Sequence, residues 1–260
     1  MPPLTRSETT LVGTMLAALA LAIFGPPVAQ YAHYHDFADQ RVWLGLPYAL
    51  AVVSNLPFAL VGLLGLYRVW LYRATVPSDG CAQLAALFFA GLVVTAVCSA
   101  YYHWQPDNAG LAVDRTGMVL AFAGLMGAAV ADRVSVRMDW VMALVVVLLG
   151  LLSVAVWRGN GNLLPWAVLQ GGGMMLLLVL AFRPTLAKGW GLPLLAVIGW
   201  YMAAKVLELG DHEIFTATHG WVSGHSLKHV AAAMAAWPVL GVMHNGAQKK
   251  SGGAQPKPFE

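Results

Sequence analysis

The chain has 260 residues, of which 59% are hydrophobic and only 10% are charged. Because about 25% of the residues of an average soluble domain are charged, this composition excludes a soluble globular fold and indicates an integral membrane protein. The formal net charge is only +3, and the basic residues stand in the loops between apolar runs, so no nucleic-acid partner is expected.

Eight apolar segments are long enough for transmembrane helices, which need about 20 residues each. They cover residues 11–28, 46–70, 82–104, 112–131, 139–157, 163–182, 189–209 and 225–243. The connecting segments are short and contain Gly, Pro, Asn and Asp, which end one helix and let the next begin. The sequence therefore predicts an all-α, polytopic membrane protein without a separate soluble domain.

The chain divides into an extra N-terminal transmembrane helix (residues 1–31), a seven-helix core (32–245) and a tail (246–260). The tail is polar and rich in Gly, Pro and Lys, which predicts disorder. The first segment also has features of a signal peptide, with PPVAQYA as a small-residue exit. We predict that this segment is retained as an uncleaved signal anchor; its cleavage would leave seven spans in the same orientation.

Basic residues are distributed unevenly, and cytoplasmic loops carry the excess of Lys and Arg. With a cytoplasmic N-terminus, that side holds Arg6, Arg68, Arg73, Arg133, Arg137, Arg183, Lys188, Lys249, Lys250 and Lys257. The other side holds mainly Arg41, Arg115 and Arg158. All histidines except His244 then lie at or near the non-cytoplasmic face: His33, His35, His103, His212, His219, His225 and His229.

Two spacings suggest a metal centre at that face. His225 and His229 are four residues apart at the start of the last span, and Ser99 and His103 are four apart at the end of the third, so each pair shares one side of a helix. Asp114 follows across a short loop. Three imidazoles with one open position are typical of a catalytic zinc, although iron and manganese also accept these ligands. The alternative is ordinary hydrogen bonding at the interface or between helices.

The stretches that carry these residues, CSAYYHWQPDNAGLAVDR and GHSLKHVAAAMA, resemble the alkaline ceramidase family. That family belongs to a larger superfamily of membrane hydrolases, which also includes adiponectin-receptor-like proteins. A weaker similarity lies in VSNLPFALVGL, where Ser54 and Asn55 match a Ser-Asn pair of the family's first core helix. The number of core helices agrees as well.

The resemblance implies a zinc-dependent enzyme that hydrolyses ceramide, or a ceramide-like N-acyl lipid, to a fatty acid and an amine. It implies that His103, His225 and His229 bind the zinc, and that Asp114 and Ser99 are catalytic residues beside the attacking water. Asp114 can transfer protons, and Ser99 can orient the water or donate to the developing oxyanion. The alternatives are an ion pair of Asp114 with Arg115 and a helix-to-helix hydrogen bond of Ser99.

The sequence departs from the family before the first core helix, where animal members carry an acidic calcium-binding segment. The corresponding residues read HDFADQR, and although Asp36 and Asp39 are acidic, Arg41 and Tyr48 replace two expected ligands. These departures argue against calcium. The segment with His33, His35, Asp36 and Asp39 is predicted to be a solvated outer loop, with an accessory metal site as the alternative.

Other polar residues give weaker indications. Lys228 replaces an aromatic residue common in the animal enzymes, which predicts a different cavity mouth or lipid headgroup. Lys205 is expected to reach the interface or to pair with Glu208, without a catalytic role. A further group either orients the imidazoles or forms a polar loop: Glu208, Asp211, His212, Glu213 and His219.

Three other functions stay open. An ester lipase of the same superfamily would use the same zinc chemistry. A receptor-like protein would bind a lipid on this fold without turnover. An electron-transfer or transport protein would use the histidines for haem or for a moving cation.

Overall fold

The computed structural model describes residues 2–72, 79–187 and 189–242, and within these ranges the regular secondary structure is helical. The helices are α1 (Arg6–Phe24), α2 (Ala49–Val53), α3 (Leu56–Tyr72), α4 (Asp79–Trp104), α5 (Asn108–Arg133), α6 (Asp139–Asn160), α7 (Leu164–Ala181), α8 (Leu194–Leu209), α9 (Asp211–Ala217) and α10 (Gly224–Met234). The all-α prediction is confirmed for this part of the chain.

Six helical segments are long and apolar enough to cross a membrane, which is consistent with a multi-pass membrane protein. They are Arg6–Phe24, Ala49–Tyr72, Gly80–Trp104, Asn108–Arg133, Val136–Asn160 and Leu164–Ala181. The last two predicted spans are also helical, but α8 has 16 residues and α10 has 11, whereas a spanning helix takes about 17–25. The count of seven core helices therefore stays a prediction.

Two prolines explain why the last two helices are shorter than predicted. Pro193 precedes α8, so the helix begins at Leu194 and not at residue 189. Pro238 has no N–H to donate to the carbonyl of Met234. The chain accordingly leaves the helix in a turn at residues 235–236 and becomes helical again at 237–242.

Helix α1 is attached to the core by an ion pair of Glu8 with the partly exposed Arg137. The carboxylate of Glu8, 1% exposed, accepts a hydrogen bond from Arg137 with Nε···Oε1 at 2.6 Å. Arg183 donates to the hydroxyl of Ser7 over 2.7 Å, and Thr5 with Glu8 forms a capping box. These contacts hold α1 beside α7, while its retention as a signal anchor stays a prediction.

Three of the arginines assigned to the cytoplasmic side, Arg133, Arg137 and Arg183, lie at one end of the bundle. Arg133 donates to the carbonyls of Arg183 and Leu192 over 2.5 and 2.8 Å, close to the start of α1. Helix α5, about 39 Å long by its 26 residues, separates this end from the histidine-bearing end of α4. Several residues assigned to the same side lie outside the described residues, as does the predicted disordered tail 246–260: Arg73, Lys188, Lys249, Lys250 and Lys257.

Helices α4 and α5 form an antiparallel pair whose backbones approach closely. A Cβ on Gly91 would lie 2.2 Å from the backbone nitrogen of Ala121, and a Cβ on Gly124 would lie 2.3 Å from that of Phe88. Small residues allow such approaches between membrane helices. The pair sets the distance between the end of α4 and the start of α5, where the candidate catalytic residues lie.

We expect Gly91→Ala to destabilise the protein by about 1–3 kcal/mol, because the added methyl group meets backbone that cannot move aside cheaply. Gly199→Ala is the matched control, since a Cβ on that helical glycine has no neighbour within 4 Å. The control is expected to be neutral or stabilising by up to about 1 kcal/mol. Thermal unfolding in detergent measures both, and equal stability of the two variants would contradict this account of the α4–α5 contact.

Candidate functional site

The structure brings His103, His225 and His229 together. Their side chains offer ring nitrogens that all lie within 4.8 Å of one another, so the group could hold a metal ion. The residues are 1%, 5% and 3% exposed. His103 stands in the last turn of α4, and the other two stand on one side of α10, as their spacing predicts.

The distance between two of the rings suits a tetrahedral metal. Nε2 of His103 lies 3.2 Å from Nε2 of His225, and two nitrogens bound to one tetrahedral zinc at 2.0–2.1 Å would be about 3.3 Å apart. A direct hydrogen bond between the two rings would have the same length, but it would not account for a third imidazole beside them. Nδ1 of His103 has no hydrogen-bond partner among the described residues.

A hydroxyl fixes the orientation of the third ring. Oγ of Ser54 lies 2.8 Å from Nδ1 of His229 and 3.0 Å from the carbonyl oxygen of Ala51. The hydroxyl proton donates to the carbonyl, so Oγ accepts from Nδ1–H. In the tautomer that this geometry favours, His229 carries its proton on Nδ1 and presents the lone pair of Nε2, as partners of metal-binding histidines arrange it.

The start of α10 is held in position by side chains outside the histidine group. Ser223 caps the helix, and its Oγ accepts from the backbone N–H of Ser226 over 3.1 Å. Oδ1 of Asp211 accepts from the backbone N–H of His225 over 2.7 Å, and Oδ2 accepts from that of Ala38 over 2.9 Å. Asp211 therefore joins α10 to the loop before α2, and its negative charge lies favourably at a helix N-terminus.

That loop covers the histidines with an aromatic side chain. The ring of Phe37, 5% exposed, is centred 4.3 Å from the ring of His225 and 4.9 Å from that of His103. The prediction of a solvated outer loop is wrong at Asp39, which is 2% exposed, and Phe37 in the same segment is buried as well. The prediction considered only the charged residues of HDFADQR and overlooked the apolar residue among them.

The other residues of the loop have separate partners. Asp39 is bound by the guanidinium of Arg41, with both nitrogen-to-oxygen distances at 2.8 Å. His35 lies 2.8 Å from the hydroxyl of Tyr102 and contacts Asn108 through its other nitrogen, while His33 and Asp36 are exposed. Among the described residues, these four acidic and histidine side chains form no metal-binding group: His33, His35, Asp36 and Asp39.

The predicted catalytic residues line a cavity beside the histidines. Asp114, on the second turn of α5, and Ser99, one turn before His103, both face this cavity, as does His229. Of the ion pairs between described residues none joins Asp114 to Arg115, so the alternative of a salt bridge has no support.

The cavity has a volume of about 180 Å³ and a mostly apolar wall. The apolar part is formed by Phe58, Phe88, Leu92, Leu111, Met118, Ala121, Phe122, Leu125, Trp166, Met174, Val197, Ala204, Ala232, Ala235 and Ala236. The polar end holds Tyr34, Arg115, Tyr201, Lys205, Glu208 and Lys228. Burial and the nearby Glu208 carboxylate raise the pKa of Tyr34, so its phenol stays protonated.

Of the weaker predictions, the pairing of Lys205 with Glu208 is confirmed, with Nζ and Oε2 at 2.6 Å. Asp211 positions the backbone of His225 and not an imidazole. Glu213 and His219 are exposed, as expected for a polar loop, and Nε2 of His212 contacts the carbonyl oxygen of Asp36 at 3.1 Å. The sequence had indicated Ser54 only through its resemblance, and Phe37 not at all.

No protein-family model matches the sequence, and no curated protein is significantly similar to it. The resemblance to the alkaline ceramidases therefore rests on the spacing of a few polar residues and on the helical architecture.

We expect that alanine at His103, His225 or His229 abolishes stoichiometric metal binding, because two imidazoles with an open third position hold a divalent metal far more weakly. Metal content of the purified protein, measured by mass spectrometry, provides the test. His219→Ala removes an exposed histidine outside the group and should leave the content unchanged. A single variant of the three that kept its metal would contradict a shared site.

We expect Ser54→Ala to weaken metal binding about 10- to 100-fold, the usual effect of removing a partner that orients a metal-binding histidine. Ser153→Ala is the matched control, because Ser153 is also buried and also donates to a carbonyl of its own helix, at 2.7 Å. Competition with a chelator gives both dissociation constants. An equal loss in the two variants would indicate a general effect on stability and not on the orientation of His229.

Proposed function

We propose that the protein is a zinc-dependent membrane amidase that hydrolyses ceramide or a ceramide-like N-acyl lipid to a free fatty acid and an amine. The single observation that carries the proposal is the buried group of three histidines beside a largely apolar cavity that also exposes a carboxylate. The resemblance of the sequence motifs to the alkaline ceramidases supports the amide as the bond that is cleaved.

Zinc is proposed because of the donor set. Three imidazoles without a thiolate suit a borderline metal, and three protein ligands are typical of catalytic zinc, whereas structural zinc has four. When bound, zinc lowers the pKa of a water ligand and polarises the carbonyl of the substrate. The residues for this role are His103, His225 and His229, with Ser54 as the partner of His229.

Asp114 and Ser99 supply the proton transfers and hydrogen bonds of the proposed reaction. Asp114 accepts a proton from the attacking water and returns it to the nitrogen of the leaving amine, so that the carbon–nitrogen bond breaks without expelling an amide anion. The hydroxyl of Ser99 can donate to the developing oxyanion, where a single donor contributes about 10²- to 10³-fold in rate.

The apolar wall provides for the acyl chain. Its 180 Å³ is below the about 300–1,000 Å³ of sites that enclose a drug-sized ligand, so the cavity receives only the part of a long-chain lipid near the amide. The rest of the chain extends between helices into the bilayer. This arrangement suits a substrate that never leaves the membrane.

The proposed active site lies at the non-cytoplasmic face. This face is supported by the sequence: ten of the fifteen Lys and Arg residues stand in segments assigned to the opposite side, and cytoplasmic loops carry the basic excess. The substrate would therefore be a lipid of the outer or luminal leaflet.

The first test compares the wild type with Asp114→Asn for zinc content and for fatty-acid release from ceramide and from its ester analogue. We expect about one zinc per chain in both proteins and a loss of at least about 10²-fold in amide hydrolysis for the variant, since a general base contributes about 10²- to 10⁴-fold. Asp107→Asn, an exposed position in the helix cap of α5, is the matched control and should keep the activity.

Each outcome separates the alternatives. Asp114-dependent release from the ester but not from the amide would favour the lipase, and zinc without release from any lipid would favour the receptor-like protein. Purified protein that contains no zinc, or that shows a haem absorption band, would contradict the proposed zinc site and with it the amidase.

A further inference from the structure

The polar end of the cavity carries more positive than negative charge. Nζ of Lys205 lies 2.6 Å from one oxygen of Glu208, and Nζ of Lys228 lies 2.8 Å from the other. The carboxylate of Glu208 thus forms ion pairs with two ammonium groups, and all three side chains line the cavity. The trio has a surplus of one positive charge, and the ammonium groups keep further donors free, because each has three.

Arg115 adds a cation that the fold does not neutralise. It is 3% exposed, lines the same cavity and takes part in no ion pair between described residues. Its Nη2 donates to Gln30 over 2.8 Å, and its guanidinium carbon lies 4.2 Å from the ring centre of Trp157, but Nη1 has no hydrogen-bond partner in the described part of the chain. A buried guanidinium with an unused donor is costly, which points to a partner that the chain does not supply.

Counting the cavity as a whole, three cations face two carboxylates, those of Glu208 and Asp114. Even with both carboxylates ionised, one positive charge remains. Aromatic rings hold Arg115 in place, so it is preorganised and does not have to be ordered when a ligand arrives.

The position of these cations relates them to the proposed reaction. Arg115 directly follows Asp114 on α5, and Lys228 directly precedes His229 on α10. The acyl chain of a substrate would lie against the apolar wall of the cavity, so that the amine half of the molecule would lie towards the polar end. A negative group on the amine half would meet Arg115 and Lys228.

We propose that the polar end of the cavity binds an anionic group, a carboxylate or a phosphate, on the amine half of an N-acyl lipid, with Arg115 and Lys228 as its contacts. As a statement about the substrate, this rests on the proposed amidase function; as a statement about binding, it stands on the charges and the cavity alone. Guanidinium and ammonium groups are the usual partners of both anions.

The test uses two pairs of lipids that differ in charge and share the acyl chain and the amide. N-oleoylglycine and N-oleoylethanolamine differ in a carboxylate, and ceramide phosphate and ceramide differ in a phosphate. Equilibrium binding is measured on metal-free protein in uncharged detergent, and hydrolysis on the zinc-loaded protein. We expect the wild type to bind the anionic member of at least one pair about tenfold more tightly, in line with the strength of a charge-assisted hydrogen bond; the pair that shows it identifies the anion.

Lys228→Gln should reduce this preference about tenfold or more and leave Glu208 with Lys205 as its partner. Arg115→Gln should have the same effect and serves as an independent variant, although its burial makes it the less certain to fold. Arg158→Gln is the matched control, since Arg158 is an exposed cation at the same end of the bundle and does not line the cavity. It accounts for the attraction of anionic lipids to any positive surface.

Equal binding of the charged and neutral members by the wild type, or an undiminished preference in Lys228→Gln, would overturn the proposal. The two proposals fail differently. A preference that depends on Lys228 without hydrolysis of any amide leaves the anion site in place and removes the amidase. Hydrolysis of the charged and neutral members at equal rates would support the amidase and contradict the anion site.

Discussion

The site depends on one constraint, which is that three buried imidazoles bring their ring nitrogens close together. The rings of His103, His225 and His229 are centred 4.8–4.9 Å apart, with no carboxylate in the group. Lone pairs that face one another at this range repel unless a proton or a cation lies between them. A bound cation would resolve this repulsion, which gives a reason for the end of α4 and the start of α10, far apart in sequence, to lie at the same level.

Residues around the three histidines hold the imidazoles in position. Asp211 holds the backbone at His225 and the loop at Ala38 with its two oxygens, so one carboxylate aligns both the ligand helix and the cover. Phe37 then excludes water from two of the rings. Removal of solvent strengthens each electrostatic interaction of the site, which is what both metal binding and stabilisation of a developing oxyanion require.

Sequence periodicity was sufficient for the residues that reach the site along their own helix. Ser99 with His103, and His225 with His229, share a side of a helix at a spacing of four, so their convergence within each pair followed from helix geometry. Ser54, Phe37 and Asp211 could not be placed in this way. They reach the histidines from other segments, and their roles depend on how the loop before α2 folds back over α10, which no local pattern encodes.

The prediction of helix ends from the sequence was limited as well, because it used only local hydropathy. Runs of apolar residues located the spans, but the run around α10 continues through Pro238 as if the helix did. The missing N–H of that proline ends the helix, although hydropathy does not register it. The break divides the predicted span into α10, which has 11 residues, and a second helical stretch at 237–242, so neither part reaches spanning length by itself.

The position of the site at the helix ends is also a consequence of chemistry in a membrane. The proposed hydrolysis would consume water and release a polar amine, which the bilayer centre does not accommodate, whereas the acyl chain of the proposed substrate lies in the hydrocarbon. A cavity with an apolar wall and a charged end at one membrane level meets both needs. Placing the buried Arg115 and the partly exposed Lys205 and Lys228 so close to hydrocarbon is costly. A largely paired network with one cation in excess is difficult to explain by stability alone, because an apolar replacement would usually be as stable. The surplus charge is therefore better understood as part of ligand recognition than as part of the scaffold.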